Sequence, residues 1–404
     1  MALVDLWNSS PEQIQGKHVQ QIIAFAGSGK LRDGENAATE YRQLLSQIPS
    51  IMLAQYVDEC LSTRFDDSGF ALQDIVNEVG RRLNYSVTFG RYRGVRSTQG
   101  QIGFDGLWES TDEKSIVVEV KTTDAYRIDL DVIAGYRRKL VQLSRINENK
   151  SSILIVVGRE DTGDLEAQVR GSRHAWDIRL ISAESLLRLL RLKENVEDPI
   201  IVRKIRDVLT PQEFTKVDGI VDIVFSAAED VRQGDGTNTE SAEDVRQNDD
   251  TYTEVEEPTQ EKPVAQFNDA CIARIQTYLK RIFIKQSRTI YDISDGSLAI
   301  ICAVSREHPT ANAKSYWFAF HPYQKQALEK AQKGYISFGC GSEDAILLIP
   351  FEDFASWLDA LNTTTQSSDR FYWHVRILYE QGQYTLTRKR GYDRPNLDKY
   401  LLPP

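Results

Sequence analysis

The chain has little of what marks a membrane, secreted or zinc-stapled protein. No apolar run in its 404 residues approaches the roughly 20 needed to cross a bilayer. The opening Met-Ala-Leu-Val-Asp-Leu lacks the basic stretch of a secretory leader. Its four cysteines, at 60, 271, 302 and 340, include no Cys-x-x-Cys spacing, so neither a zinc site nor a disulfide framework is indicated, and a reducing cytoplasm is the expected location. His321 and His374 have no partners at ligand spacing. A phosphate-binding loop is also missing. Ala26-Gly-Ser-Gly-Lys30 has Ala24 where such a loop needs glycine and Leu31 where it needs Ser or Thr, and no buried strand precedes it.

A basic balance is lacking too, because the net charge is −10. The acidity is local. Residues 226–263 carry twelve acids and three bases, whereas 264–404 carry seventeen bases and fourteen acids. The acidic segment repeats Ala-Glu-Asp-Val-Arg-Gln at 228–233 and 242–247 and is nearly free of large apolar residues, so it reads as a disordered linker with a 14-residue tandem repeat. It separates a region of 225 residues from a C-terminal one, and the overall charge describes neither folded part. Within the first, about 1–69 reads as a helical extension, with an apolar face from Leu44 to Leu61 broken near Pro49.

What is present is concentrated between Ile102 and Lys121. Ile-Gly-Phe-Asp-Gly-Leu-Trp is followed by the turn-like Glu109-Ser-Thr-Asp-Glu-Lys114 and then by Ser-Ile-Val-Val-Glu-Val-Lys, which predicts a hairpin of strands over 102–108 and 115–121. Alternation puts Val117, Glu119 and Lys121 on one face. Positions 105 and 119 are symmetric about 112, so a symmetric loop sets Asp105 across from Glu119 with Cβ atoms about 5 Å apart. Two facing carboxylates in an apolar sheet repel unless a proton or a cation intervenes. A divalent cation with oxygen ligands answers that conflict, and Lys121 adds a positive charge beside it.

An acid on one strand and Glu-x-Lys on the next resemble the PD-(D/E)XK nuclease superfamily, the restriction-endonuclease-like fold. The residue before Asp105 is Phe104 rather than the family's proline, which many members also lack. The order of elements agrees over about 70–192. A helix over 71–83 (Leu72, Ile75, Val76, Val79, Leu83) precedes a strand from Tyr85 to Phe89 and the hairpin. A helix from Val132 to Ile146, a buried strand from Ser152 to Val157, a strand from Asp177 to Ile181 and a helix from Ala183 to Leu192 follow. The resemblance implies an α/β fold, a restriction-endonuclease-like mixed sheet flanked by helices, spanning 70–225. It implies Asp105 and Glu119 as metal ligands with the backbone carbonyl of Val120, and Lys121 positioning the attacking water and the scissile phosphate. Mg2+ is the implied cofactor, with Mn2+ able to substitute.

Other candidates are read less specifically. Glu78, on the first helix, is either a solvated helix-face carboxylate or the additional metal ligand that some family members carry. Arg91, Arg93 and Arg96 lie in the basic-aromatic loop Gly-Arg-Tyr-Arg-Gly-Val-Arg, which could track a DNA backbone. Arg127, Arg137 and Lys139 follow the Lys121 strand, where family members contact phosphate; exposed helix charges are the alternative.

From about 264 the chain reads as a separate α+β domain. A helix from Phe267 to Ile284 leads into strands at Ser297–Val304, Tyr316–Phe320, Tyr335–Gly339, Ala345–Ile349, Tyr372–Leu378 and Tyr384–Arg388, with helices near 322–333 and 351–361. The pairs Tyr316-Trp317 and Tyr372-Trp373 suit core packing or the stacking of nucleobases. Arg388, Lys389 and Arg390 suit a phosphate backbone or an exposed strand. The combined expectation is a Mg-dependent DNA endonuclease of bacterial restriction or antiphage defence, homodimeric because duplex cleavage takes two sites, with a C-terminal recognition or sensor domain. Two alternatives stand beside it: a non-catalytic nucleic-acid-binding or regulatory protein on the same fold, and an effector nuclease gated by a small molecule or a phage protein.

Overall fold

The computed structural model describes residues 3–63, 65–92, 102–122, 128–158, 163–196, 198–211, 264–309, 313–365 and 371–403. The chain divides into two units, Met1–Phe225 and Ser226–Pro404, both mixed α/β. No helix among the described residues is long and apolar enough to cross a membrane. The expected linker, 226–263, lies outside the described residues, as do Arg93, Arg96 and Arg127.

The first unit opens with four helices, α1 (Leu3–Ser9), α2 (Val19–Phe25), α3 (Asn36–Leu45) and α4 (Ser50–Ser62), the last two separated by Pro49. Pro49 stands at the N-cap, where its missing amide donor costs nothing. The long α5 (Ser68–Arg82) leads into a five-stranded sheet of β1 (Ser86–Phe89), β2 (Gly106–Glu109), β3 (Ser115–Lys121), β4 (Ser151–Val157) and β5 (Ile178–Ser182), in that spatial order. The first three strands pair antiparallel and β3-β4-β5 pair parallel. Four further helices follow among the described residues: α6 (Leu130–Gln142), α7 (Gly163–Arg170), α8 (Ala183–Asn195) and α9 (Pro199–Asp207). Sequence periodicity missed α7 and α9. The second had a legible start in Asp198-Pro199, and Asp198 caps it by accepting from the Ile200 amide at 2.8 Å.

Each face of the sheet has its own core. Leu107, Val117, Ile153, Ile155 and Val157 pack with Leu130, Ile133 and Leu140 of α6. On the other face the Trp108 ring lies against Gly80 of α5, where an added Cβ would come within 2.4 Å of the indole. Central β3 is buried on both sides from Ser115 to Glu119, which fits its run of β-branched residues.

The second unit holds two more sheets. In the first, β6 (Ile284–Lys285), β7 (Ile290–Asp292), β8 (Leu298–Ser305), β11 (Lys333–Cys340) and β12 (Ile346–Pro350) lie in the order β12-β11-β8-β7-β6. In the second, β9 (His308–Pro309), β10 (Lys314–Phe320), β13 (Thr363–Thr365) and β14 (Phe371–Glu380) run β13-β14-β10-β9, with β15 (Gln383–Thr387) also on β14. The main core includes Ile301, Phe318, Phe320, Phe338, Val375 and Ile377, drawn from both sheets. Helix α10 (Val264–Leu279) packs on the first sheet through Cys271 and Ile275; α11 (Pro322–Lys330) and α12 (Phe351–Ala355) are the unit's other described α-helices. The six longer strands fall where alternation placed them. The two- and three-residue strands β6, β7, β9 and β13 were missed because so short a segment carries no period.

Gly106 tests how tightly α5 and β2 are joined. A Cβ there would sit 2.1 Å from Asn77 Oδ1. Gly106→Ala is expected to destabilise the first unit by about 1–3 kcal/mol through overpacking, read as a lower midpoint in denaturant with the slope unchanged.

Candidate functional site

Asp105 stands one residue before β2, so the strand is shorter than the 102–108 read from sequence. Its backbone is still bonded on both sides: its amide donates to Val118 O at 3.1 Å and its carbonyl accepts from the Gly90 amide at 2.9 Å. Two side chains of α5 fix the same carbonyl, Gln73 Nε2 at 3.1 Å and Asn77 Nδ2 at 2.9 Å. Asn77 Oδ1 in turn accepts from Trp108 Nε1 at 2.9 Å. The helix therefore clamps the residue that carries the carboxylate. Gln73 and Asn77 were not singled out from sequence. Two amides at i and i+4 flanking the apolar stripe, one turn before Gly80, were the available signal, because such groups enter a core only with partners.

The β2–β3 register pairs Gly106 with Val118 and Leu107 with Val117, with the expected symmetry about position 112, and the ladder ends there. Asp105 lies one residue beyond that ladder, its amide also on the Val118 carbonyl, so the symmetric register reaches Gly106 and the expected Asp105–Glu119 ladder pair is not formed. The two carboxyls are still close enough for the charge of Glu119 to act on Asp105. Glu119 and Lys121 share a face with Val117, level with Ile155 and Val157 of β4 at the end of the apolar core under α6. Asp105 Oδ2 accepts from the Val120 amide at 2.7 Å. Lys121 Nζ donates to Glu119 Oε1 at 2.6 Å. Glu119 Oε2 is buried and has no hydrogen-bond partner among the described residues.

Backbone direction adds another oxygen. In a strand the N–H and C=O of one residue point to the same neighbour. The Val120 amide points toward Asp105, whereas the Lys121 carbonyl accepts from Gly158 on the β4 side at 2.9 Å. The Val120 carbonyl accordingly opens on the edge where β2 has ended, beside the Asp105 side chain.

The electrostatics follow from this packing. Burial, and then the charge of Glu119, push the Asp105 carboxyl up to about 7, against the Val120 amide and Lys121, which favour its ionised form. Burial also raises Glu119, outweighing the relief from Lys121. For Lys121, burial opposes the charge, yet Glu119 and Asp105 hold its ammonium above the usual lysine value. Tyr136 of α6 borders the group: burial and the charges of Glu119 and Asp105 raise its phenol, and a Cβ on Gly103 would lie 3.1 Å from its hydroxyl.

Two carboxylates, one of them with the orphaned buried oxygen Glu119 Oε2, and a backbone carbonyl are a donor set for a hard cation. Among the described residues no cluster of three or more His, Cys, Asp or Glu side chains is found. The set suits Mg2+, which keeps several waters and takes one or two carboxylates, rather than a closed four-ligand zinc site.

The remaining described candidates do not join this group. Glu78 is buried, with its oxygens accepting from Arg82 Nε at 3.0 Å and Arg81 NH1 at 3.1 Å. Arg82 goes on to the Leu45 and Ile48 carbonyls, so Glu78 orients an arginine that closes the end of α3. Arg137 is held by Ser151 Oγ at 2.9 Å and the Glu148 carbonyl at 2.7 Å, at the start of β4 and thus the far end from Lys121. Lys139 and Arg91 are exposed. In the second unit Tyr316 is buried in the main core and Trp373 packs on Phe320, because odd positions of β14 and even positions of β10 face inward. Trp317 and Tyr372 face the other way. Arg388 pairs with Asp393 at 2.6 Å and Lys389 donates to the Asp359 carbonyl at 2.8 Å; Arg390 is exposed. The glycine-rich loop at 26–30 is tied down, with Ser28 Oγ donating to Glu35 Oε2 at 2.5 Å.

No protein-family model matches the chain, and no curated protein matches it in sequence.

The strain at Asp105 is measurable. Burial and the charge of Glu119 push its carboxyl from the ordinary 3.8 up to about 7 in the folded chain, so between these values the folded state holds the extra proton and stability falls as pH rises. Asp105→Asn is expected to raise the melting temperature of the metal-free first unit by a few degrees at pH 8. The gain should shrink toward zero near pH 4 in calorimetry.

Proposed function

We propose that the chain is a metal-dependent DNA endonuclease of the PD-(D/E)XK type. The observation that carries this reading is the gathering of the Asp105 and Glu119 carboxyls where the β2–β3 ladder ends, with Glu119 Oε2 unpartnered among the described residues and Lys121 bound to the same Glu119 carboxylate. The mixed sheet and its flanking helices support it by matching the order of elements in that superfamily.

Asp105 Oδ, Glu119 Oε2 and the Val120 carbonyl would hold Mg2+, or Mn2+ in its place. Bound there, the ion supplies charge stabilisation at the scissile phosphate and a more acidic water. Asp105 is rigid because α5 grips its carbonyl and the Val120 amide grips its side chain. Lys121, raised above the ordinary lysine value, is cationic at neutral pH. It can orient a phosphate oxygen or the attacking water by charge, but it is not poised to remove a proton. Its salt bridge to Glu119 satisfies one oxygen of that carboxylate and leaves the other for the ion. Much of this chemistry is positioning and electrostatics, which suits a site with no histidine or cysteine.

Duplex cleavage takes two sites, so a homodimer belongs to the proposal, with the C-terminal unit as a recognition or sensor module and restriction or antiphage defence as its setting. Purified protein with Mg2+ is expected to nick or cut DNA. Lys121→Ala and Asp105→Asn should each lower the rate at least 100-fold while leaving the folded spectrum intact. Equal cutting by these variants would remove the site. Cation binding must also displace the Asp105 proton. Its apparent affinity should therefore fall as pH drops below about 7, approaching tenfold per unit, with proton release seen calorimetrically in buffers of different ionisation enthalpy.

A further inference from the structure

The second sheet of the C-terminal unit has a face that the core does not use. Its inward positions, among them Phe318, Phe320, Val375 and Ile377, meet the first sheet. The alternate positions carry aromatic rings in mutual contact. Trp317 meets Tyr372 edge-on with centroids 6.1 Å apart, and Tyr372 lies 5.0 Å from His374 and 5.5 Å from His321. His321 stacks on Tyr323 at 5.2 Å. All five rings are only partly buried.

The polar edges of the central rings are already committed. Trp317 Nε1 donates to His374 Nδ1 at 3.1 Å, and His374 Nε2 lies 2.6 Å from Thr364 Oγ1. Indole nitrogen is a donor only, so the imidazole accepts at Nδ1 and its neutral form carries the proton on Nε2. Trp317 has no polar atom left to satisfy. What it still offers a partner is ring surface, fixed in place.

Charge indicates the kind of partner. Arg376 is paired with Trp317 in the ladder, points to the same face and is exposed. Its Nε donates to Ser315 Oγ at 3.1 Å, and no carboxylate pairs with it among the described residues. Along the outward positions of β14 no acid occurs before Glu380, at the strand's far end. Oriented rings beside an unneutralised guanidinium suit a ligand with π-faces and phosphates.

We propose that this face binds single-stranded nucleic acid, with unpaired bases stacking on Trp317 and Tyr372 and a backbone phosphate on Arg376. The inference deepens the nuclease reading and rests on its premise that the substrate is nucleic acid. It gives the C-terminal unit a role: capturing a strand without reading its sequence, since every base has a π-face.

The test uses the full chain in EDTA, where no metal-dependent cutting can occur. Fluorescence anisotropy follows labelled oligo(dT), oligo(rU) and a short duplex, and tryptophan emission is recorded in parallel. Binding of either single strand in preference to the duplex, with tryptophan quenching, is expected. Tyr372→Leu and Trp317→Leu, which keep apolar volume but remove the ring, should weaken it about tenfold or more. Tyr372→Phe should keep it, and Arg376→Gln should weaken it and flatten its salt dependence. Should a leucine variant fail to fold, Tyr372→Phe and Arg376→Gln still decide the matter. No single-strand binding, or equal binding by the ring and arginine variants, overturns the proposal. A chain that binds strands but never cuts with Mg2+ loses only the nuclease assignment. One that cuts while the ring variants bind normally loses only this face.

Discussion

Asp105 and Glu119 bring two carboxyls together where the β2–β3 ladder ends, beside Lys121 and against a core that is otherwise apolar on that side. Burial alone raises a carboxylate, and two close together raise one another further. The carboxyl of Asp105 is pushed up to about 7 as a result. Hydrophobic residues at these two positions would relieve the conflict, and Val117 and Leu107 one step away show that the sheet accepts them. What the arrangement does offer is a pair of oxygens fixed before any ligand arrives, beside a cation on the same strand.

The scaffold around the pair explains why it does not relax. A strained polar group persists only where its surroundings over-determine it. Here the backbone of Asp105 is held from three directions, by the Val118 carbonyl, the Gly90 amide and the two side-chain amides of α5. Asn77 extends that grip to the buried Trp108, and glycine at 106 lets the helix approach closely enough to make it. The N-terminal helices join the same system: Arg42 of α3 reaches Asp74 of α5 at 3.0 Å, and Tyr92 donates to Asp74 at 2.5 Å beside the loop that leads toward Asp105. The helical extension thus supports the site's geometry, and the glycine-rich loop within it is a structural turn.

Much of this was legible in the sequence, for identifiable reasons. The hairpin register from Gly106 to Glu109 followed from strict alternation and a symmetric turn, whereas the place of Asp105 depends on where that ladder stops. The order of long elements followed from periodicity. Other features depend on contacts that periodicity does not encode. Glu78 occupies the expected helix, but its orientation was settled by Arg82 four residues on and by α3 carbonyls thirty or more residues away. Arg137 likewise bonds Ser151, across a loop, rather than turning toward Lys121. In the second unit the pairs Tyr316-Trp317 and Tyr372-Trp373 were visible as pairs. Which member faces the core was fixed by strand direction, and the answer separates Trp317 and Tyr372 from their neighbours.

The central claim is that the conflict between the two acids is resolved by a cation. A crystal of the protein soaked in Mn2+, with data collected for anomalous scattering, tests it most directly. The account predicts one strong peak about 2–2.5 Å from oxygens of Asp105, Glu119 and Val120, lost in an Asp105→Asn crystal. A well-ordered site with no peak, and with a proton or Lys121 alone bridging the carboxylates, would contradict it.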